Sequence, residues 1–225
     1  MCTVTFLPLD DDDFVLTSNR DVGYQREKAF YPAHYKEEGV SLYYPKDGKA
    51  GGTWIGTSRN TRLICLLNGG FENHKRARSY LKSRGLIVKE LLIANSFEQT
   101  CMEMSFVGIE PFTLVVVDWK KKRQLYQFVW DGEQRYLKEL DQRPHIWSSS
   151  TLYTNEMKGL RQEWFSKWFQ QREKSSASIL KFHNEAGIGD PQIDVVLKRE
   201  KVGTVSITQV VKTGAMVDMH YFPAI

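Results

Sequence analysis

Apolar and polar positions alternate with period two over residues 2–7 (Cys-Thr-Val-Thr-Phe-Leu), and residues 14–19 are again β-rich, so the opening predicts a hairpin. Its connection carries Pro8-Leu9 and four aspartates, Asp10 to Asp13. These lack the alternating spacers and glycine of a calcium loop and read as a solvated turn. Residues 23–50 mix Tyr, Pro, Gly and charge and predict no regular element. A second β pair follows over 52–57 and 61–67 about Ser58-Arg59-Asn60, ending in Asn68-Gly69-Gly70. Helices are predicted over 86–94 and 97–104, then strands over 112–118 and 124–130 bracketing the tip Lys120-Lys121-Lys122-Arg123. Over 155–171, Met157, Leu160, Trp164, Phe165 and Trp168 fall on one helical stripe, which predicts a core-facing helix. A further helix over 176–185 and a hairpin over 203–211 and 215–222 complete the reading.

Blocks of strands separated by blocks of helices predict an α+β fold rather than the regular alternation of a doubly wound sheet. Gly-Gly-x-x-x-Gly at 51–56 is no phosphate loop, because Thr53 to Ile55 read as strand. With no repeat and no linker, residues 1–225 are expected to form one domain.

Composition changes this picture little. Hydrophobic residues make up 41% and charged residues 26%, the balance of a globular chain. A net charge of +4 permits anionic ligands but lacks the basic stripe and motif of a nucleic-acid binder. No apolar run approaches the roughly 18 residues of a membrane span, and no leader pattern opens the chain. Cys2, Cys65 and Cys101 are widely spaced and predict reduced thiols, as in the cytoplasm. The five histidines show no metal-ligand spacing, so no metal site is expected.

Candidate chemistry starts at Cys2. Once Met1 is removed, Cys2 carries a thiol and an α-amine on one carbon. The amine titrates near ~7.7–8.0 and can serve as base for its own nucleophile. The plain alternative is a small apolar residue opening a buried strand. Ser18-Asn19-Arg20-Asp21 ends the strand that a hairpin returns beside residue 2. There Arg20 would favour a thiolate and Asp21 could orient an ammonium or a substrate amide, against the alternative of a surface ion pair. Asn68, with a neighbouring backbone N–H, could hold an oxyanion, against the alternative of a simple turn. The basic segment from His74 to Arg84 offers Arg76, Arg78 and Arg84 to an anionic ligand, against the alternative of a solvated loop.

Met-Cys-Thr-Val-Thr-Phe at 1–6, Thr-Ser-Asn-Arg-Asp at 17–21, Gly-Gly-Thr-Trp-Ile-Gly at 51–56, Leu-Leu-Asn at 66–68 and Ser-Arg-Gly-Leu-Ile-Val at 83–88 together resemble the NRDE-motif family. This is the transport and Golgi organisation protein 2 family. It is similar to the cysteine branch of the N-terminal-nucleophile (Ntn) hydrolases, which includes penicillin V acylase and bile salt hydrolase. The resemblance implies a four-layer αββα sandwich with antiparallel sheets. It also implies Cys2 as nucleophile, with Arg20 and Asp21 beside it and Asn68 near the oxyanion. Asn19 and Trp54, within the motifs, join the three arginines as ligand-contact candidates.

The chain departs from the family pattern at four places. Val22 stands where the motif has Glu, and Ser18 stands where the acylases carry Arg. Ser149 replaces a second amide, and Val205 replaces a possible cation near the C-terminus. Ser18 and Arg20 share a strand face, so Arg20 is expected to reach the site, whereas Asp21 would need a local bend. Two functions are therefore expected: cleavage of an amide or thioester at Cys2, or non-catalytic binding and trafficking of haem or an acyl lipid such as acyl-coenzyme A. No cofactor is required by the first; haem is a possible ligand in the second.

Overall fold

Residues 3–10, 12–59 and 61–224 are described by a computed structural model. Cys2, Asp11 and the Asn60 of the predicted turn lie outside them. Twelve strands and four helices follow in the order β1 (Thr3–Pro8), β2 (Phe14–Gly23), β3 (Phe30–Glu37), β4 (Val40–Lys46), β5 (Ile55–Ser58), β6 (Arg62–Asn68), α1 (Arg84–Ile93), α2 (Phe97–Glu103), β7 (Phe112–Asp118), β8 (Gln124–Trp130), β9 (Arg135–Leu140), β10 (His145–Ser148), α3 (Asn155–Gln171), α4 (Ser176–Glu185), β11 (Val202–Thr213) and β12 (Met216–Pro223). The chain is α+β with two antiparallel sheets, and it divides into two compact units.

The first unit takes the residues up to Arg26 and those from Arg143 onward. Its five strands lie in the order β10-β1-β2-β11-β12. Strand alternation sends Thr5, Leu7, Val15, Thr17 and Asn19 to the face that carries the helices. There Leu7 and Val15 pack with Phe165 of α3, Ile179 and Phe182 of α4, and Val195. Of the aromatic stripe on α3, Phe165 is buried while Trp164 and Trp168 are partly covered. Trp168 meets Phe182 edge-on at 5.7 Å. Thr154 and Ser175 cap the two helices, accepting from the N–H groups of Met157 and Ser178.

The second unit, Glu27–Gln142, is a seven-stranded meander, β3 to β9 in chain order, with α1 and α2 inserted after β6. One face supplies Ile64, Leu66, Leu114, Val116 and Phe128 to a core closed by Ile87, Val88, Leu91 and Leu92 of α1. The helix approaches closely because two glycines meet. A Cβ on Gly52 would lie 2.4 Å from the carbonyl carbon of Gly85, and the Thr53 N–H donates to Gly85 O at 3.1 Å. Arg62 closes the other end of α1, donating to the carbonyls of Leu91 and Ala94 at 2.8 Å each and to Asp118 at 2.9 Å.

The expectation of irregular structure over 23–50 is corrected by β3 and β4. β3 is the edge strand of the sheet, largely exposed, with a register that slips between Phe30 and Ala33; β4 lies between β3 and β5 and is half-buried. Strands β9 and β10 are likewise additional to those predicted, both lacking a fully buried residue.

Candidate functional site

The candidates among the described residues fall in both units. In the first unit, β1 pairs with β2 in the register Thr3↔Asn19, Val4↔Ser18 and Thr5↔Thr17. Beyond it, β2 pairs with β11, Thr208 opposite Ser18 and Ser206 opposite Arg20. Period-two alternation therefore gathers Val4, Ser18, Arg20, Ser206 and Thr208 on the sheet face away from α3 and α4. All five are buried, Arg20 at 3% exposure. The hydroxyls of Ser206 and Thr208 are enclosed without a hydrogen-bond partner among the described residues, as is that of Thr3 on the opposite face. Buried hydroxyls left unsatisfied beside a guanidinium mark a place suited to water or to a polar ligand group.

Asn19 and Asp21 face the other way. Asn19 donates through Nδ2 to the carbonyls of His183 and Val195, both at 3.1 Å, and its Oδ1 meets His183 Nδ1. Since the amide nitrogen is spent on carbonyls, Oδ1 must accept, which fixes the proton on His183 Nδ1. Nε2 is then the acceptor for the Thr5 hydroxyl at 2.7 Å. Burial holds this imidazole neutral, its pKa pushed down to about 3. Asn19 thus ties β2 to α4 and the following loop.

Asp21 receives two hydroxyl donors, Tyr153 at 2.6 Å and Thr204 at 2.5 Å. The Thr204 oxygen in turn accepts the Leu197 N–H at 2.9 Å. Tyr153 is stacked against Arg161, whose guanidinium carbon lies 3.7 Å from the ring centre. The expected bend does not occur at Asp21: β2 runs on to Gly23. The irregularity is on β11, where Asp21 pairs with Thr204 and Arg20 with Ser206, so Val205 is an extra residue in a bulge. Arg20 and Asp21 therefore serve opposite faces of one sheet.

In the second unit, Asn68 ends β6 opposite Phe112 and is half-buried. Trp54 is buried just before β5, its carbonyl accepting the Leu66 N–H at 2.8 Å. Arg76 and Arg84 converge on the buried Glu110, at 3.1 and 3.0 Å, and His74 meets the same carboxylate at 3.3 Å. Arg84 also donates to Pro111 O at 3.0 Å. Arg78 is exposed. Ser206, Thr208, Tyr153 and Glu110 were not among the sequence candidates. For the first two the signal was the alternation Thr204, Ser206, Thr208 with the apolar Val205 and Ile207 between them; Tyr153 and Glu110 had none. Among the described residues no cluster of three His, Cys, Asp or Glu is placed to hold a metal.

The family model described as Transport and Golgi organisation 2 matches residues 1–202. No curated protein sequence matches the chain. Among solved structures, a Caenorhabditis elegans ortholog of N-acylethanolamine-hydrolyzing acid amidase superposes with a TM-score of 0.64 at 11% identity, covering 93% of this chain and 92% of the other. A variant of conjugated bile acid hydrolase from Clostridium perfringens gives a TM-score of 0.50 at 8% identity, covering 97% and 92%. The likeness is one of fold, that of the Ntn-hydrolase-type acylases.

Proposed function

Because the chain belongs to the Transport and Golgi organisation 2 family and has the Ntn-hydrolase fold, we propose that it is a cysteine-dependent hydrolase of an acyl amide or thioester. The observation that carries this reading is the buried polar strip of Ser18, Arg20, Ser206 and Thr208 on one face of β2 and β11. Cys2 is the residue before Thr3 in the chain, and Arg20 is the residue after Asn19, the partner of Thr3.

In the proposed reaction the α-amine of Cys2 takes the thiol proton and the thiolate attacks the acyl carbonyl. The tetrahedral intermediate collapses to an acyl-cysteine thioester as the leaving amine or thiol receives that proton. Water then adds to the thioester, the amine again acting as base, and the carboxylic acid leaves as the thiol is restored. Arg20 favours the thiolate electrostatically. The resemblance assigns the oxyanion to Asn68, and Asn68→Ala tests that assignment with an expected 10²–10³-fold loss in kcat. The remaining candidates differ in kind: Asp21 and Asn19 hold the strand that carries Arg20, and the arginines of 76–84 act on ligand affinity.

The deciding experiment combines turnover of acyl amides and acyl-coenzyme A thioesters with intact mass, on untagged protein lacking Met1. Acylation at Cys2, lost in Cys2→Ser, is the expected result. Saturable haem binding with no turnover of any acyl substrate would replace the hydrolase by a carrier. Retention of Met1 would remove the amine base and with it this mechanism. Cytoplasmic residence is part of the proposal. Among the described residues no helix is long and apolar enough to cross a membrane.

A further inference from the structure

The second unit has a rim where β6 ends, β7 begins, β8 ends and β9 begins, marked by the rungs Asn68↔Phe112 and Trp130↔Arg135. The loops leaving this rim expose apolar side chains that the core does not use. Leu81 is 83% exposed, Val107 75% and Phe71 50%. The fold ties their backbones and neighbours together: the Leu81 N–H donates to Gly108 O at 2.9 Å, next to Val107, and Phe71 stacks edge-on with Tyr136 at 4.9 Å. Exposed aliphatic and aromatic groups at one rim need a partner that is itself apolar beneath its surface.

Charge says which. Residues 71–84 hold five cations and one carboxylate, a net +4, which equals the formal net charge of the whole chain. Within this loop Arg76 and Arg84 are steered by Glu110 and Lys82 pairs with Glu90 at 2.7 Å. Arg76 stays 76% exposed despite that contact, and Lys75 and Arg78 project beside it. A loop of net +4 that also carries the exposed Phe71 and Leu81, with exposed Val107 on the neighbouring loop, matches a bilayer with an anionic surface, where basic groups meet headgroups and apolar tips enter the acyl boundary. We infer that this rim docks on anionic phospholipid membranes. The inference holds for hydrolase and carrier alike.

Flotation with phosphatidylcholine vesicles, with and without phosphatidylserine, tests it on the full chain. Binding is expected only with phosphatidylserine and is expected to weaken as salt is raised. Lys75→Ala, a change at an exposed side chain, lowers partitioning about fivefold, and Arg78→Ala does the same. Leu81→Ser with Val107→Ser abolishes it while leaving the thermal midpoint near that of the parent. Cys2→Ser must bind vesicles as the parent does, which separates this inference from the hydrolase reading. Absence of binding to phosphatidylserine vesicles overturns the inference, as does binding insensitive to these changes. A shift of the parent, but not of the Leu81→Ser/Val107→Ser variant, to a larger species in solution would also overturn it, in favour of a protein partner.

Discussion

Tyr153 donates its hydroxyl to Asp21 at 2.6 Å, joining the end of β2 to the residue before the cap of α3. The bond spans 132 residues of chain and sits on the helix-covered face of the sheet. It converts a motif residue into a clasp: the carboxylate that follows Arg20 anchors the strand from behind while Arg20 serves the opposite face.

Tyr153→Phe leaves the buried Asp21 carboxylate short of one donor and should cost about 1–3 kcal/mol in urea unfolding. Thr204→Val should cost a similar amount. The two changes should not add, because they share the same acceptor group.

The His183 network makes stability depend on pH. Burial keeps the folded imidazole neutral down to about pH 3, while the unfolded one titrates near 6.5. Between these values the unfolded chain binds more protons, so stability falls as pH falls, by up to ~1.4 kcal/mol per pH unit. Urea melts at pH 7.5 and 5.0 should show this slope, and His183→Gln should flatten it.

The glycines give a signed series. Gly52→Ala pushes a methyl into the Gly85 backbone at 2.4 Å and should destabilise by about 1–3 kcal/mol or more, with Gly85→Ala close behind. Gly159, inside α3, has no neighbour within 4 Å of a built Cβ. Gly159→Ala should therefore raise stability by up to ~1 kcal/mol. A thermal melt of the three variants tests the order.

Thiol labelling isolates Cys2. Cys65 and Cys101 are both fully buried, and burial pushes the Cys101 thiol up to about 12. Brief iodoacetamide exposure at pH 7 should mark Cys2 first in the native protein, and all three in denaturant. Arg20→Ala should slow the Cys2 reaction alone.

Much of the fold was legible where burial imposes a clean period. Strands 112–118 and 124–130 and helices 155–171 and 176–185 agree with their predicted spans. The signal fails at edges: β3, β9 and β10 expose much of their surface, so their side chains are polar or mixed and their sequences carry no clean apolar alternation. For the site, period two correctly placed Ser18 and Arg20 together. It could not tell that Asp21 is satisfied from Tyr153 and Thr204, because those partners are brought near only by the tertiary fold.

The order of strands has a consequence for how the chain is made. The meander of Glu27–Gln142 pairs only with itself, strand by strand, and can close as soon as it leaves the ribosome. The first hairpin cannot: β1 waits for β10 and β2 waits for β11. At ordinary synthesis rates the gap between completing residue 142 and reaching the end of β12 is on the order of ten seconds. Through that interval β1 and β2, which the finished fold buries on both faces, stand with both outer edges open. Strands β1 and β2, made before the meander, are thus sealed only after it, and a nascent-chain chaperone that shields them would act at the step where this protein is most exposed to misassembly.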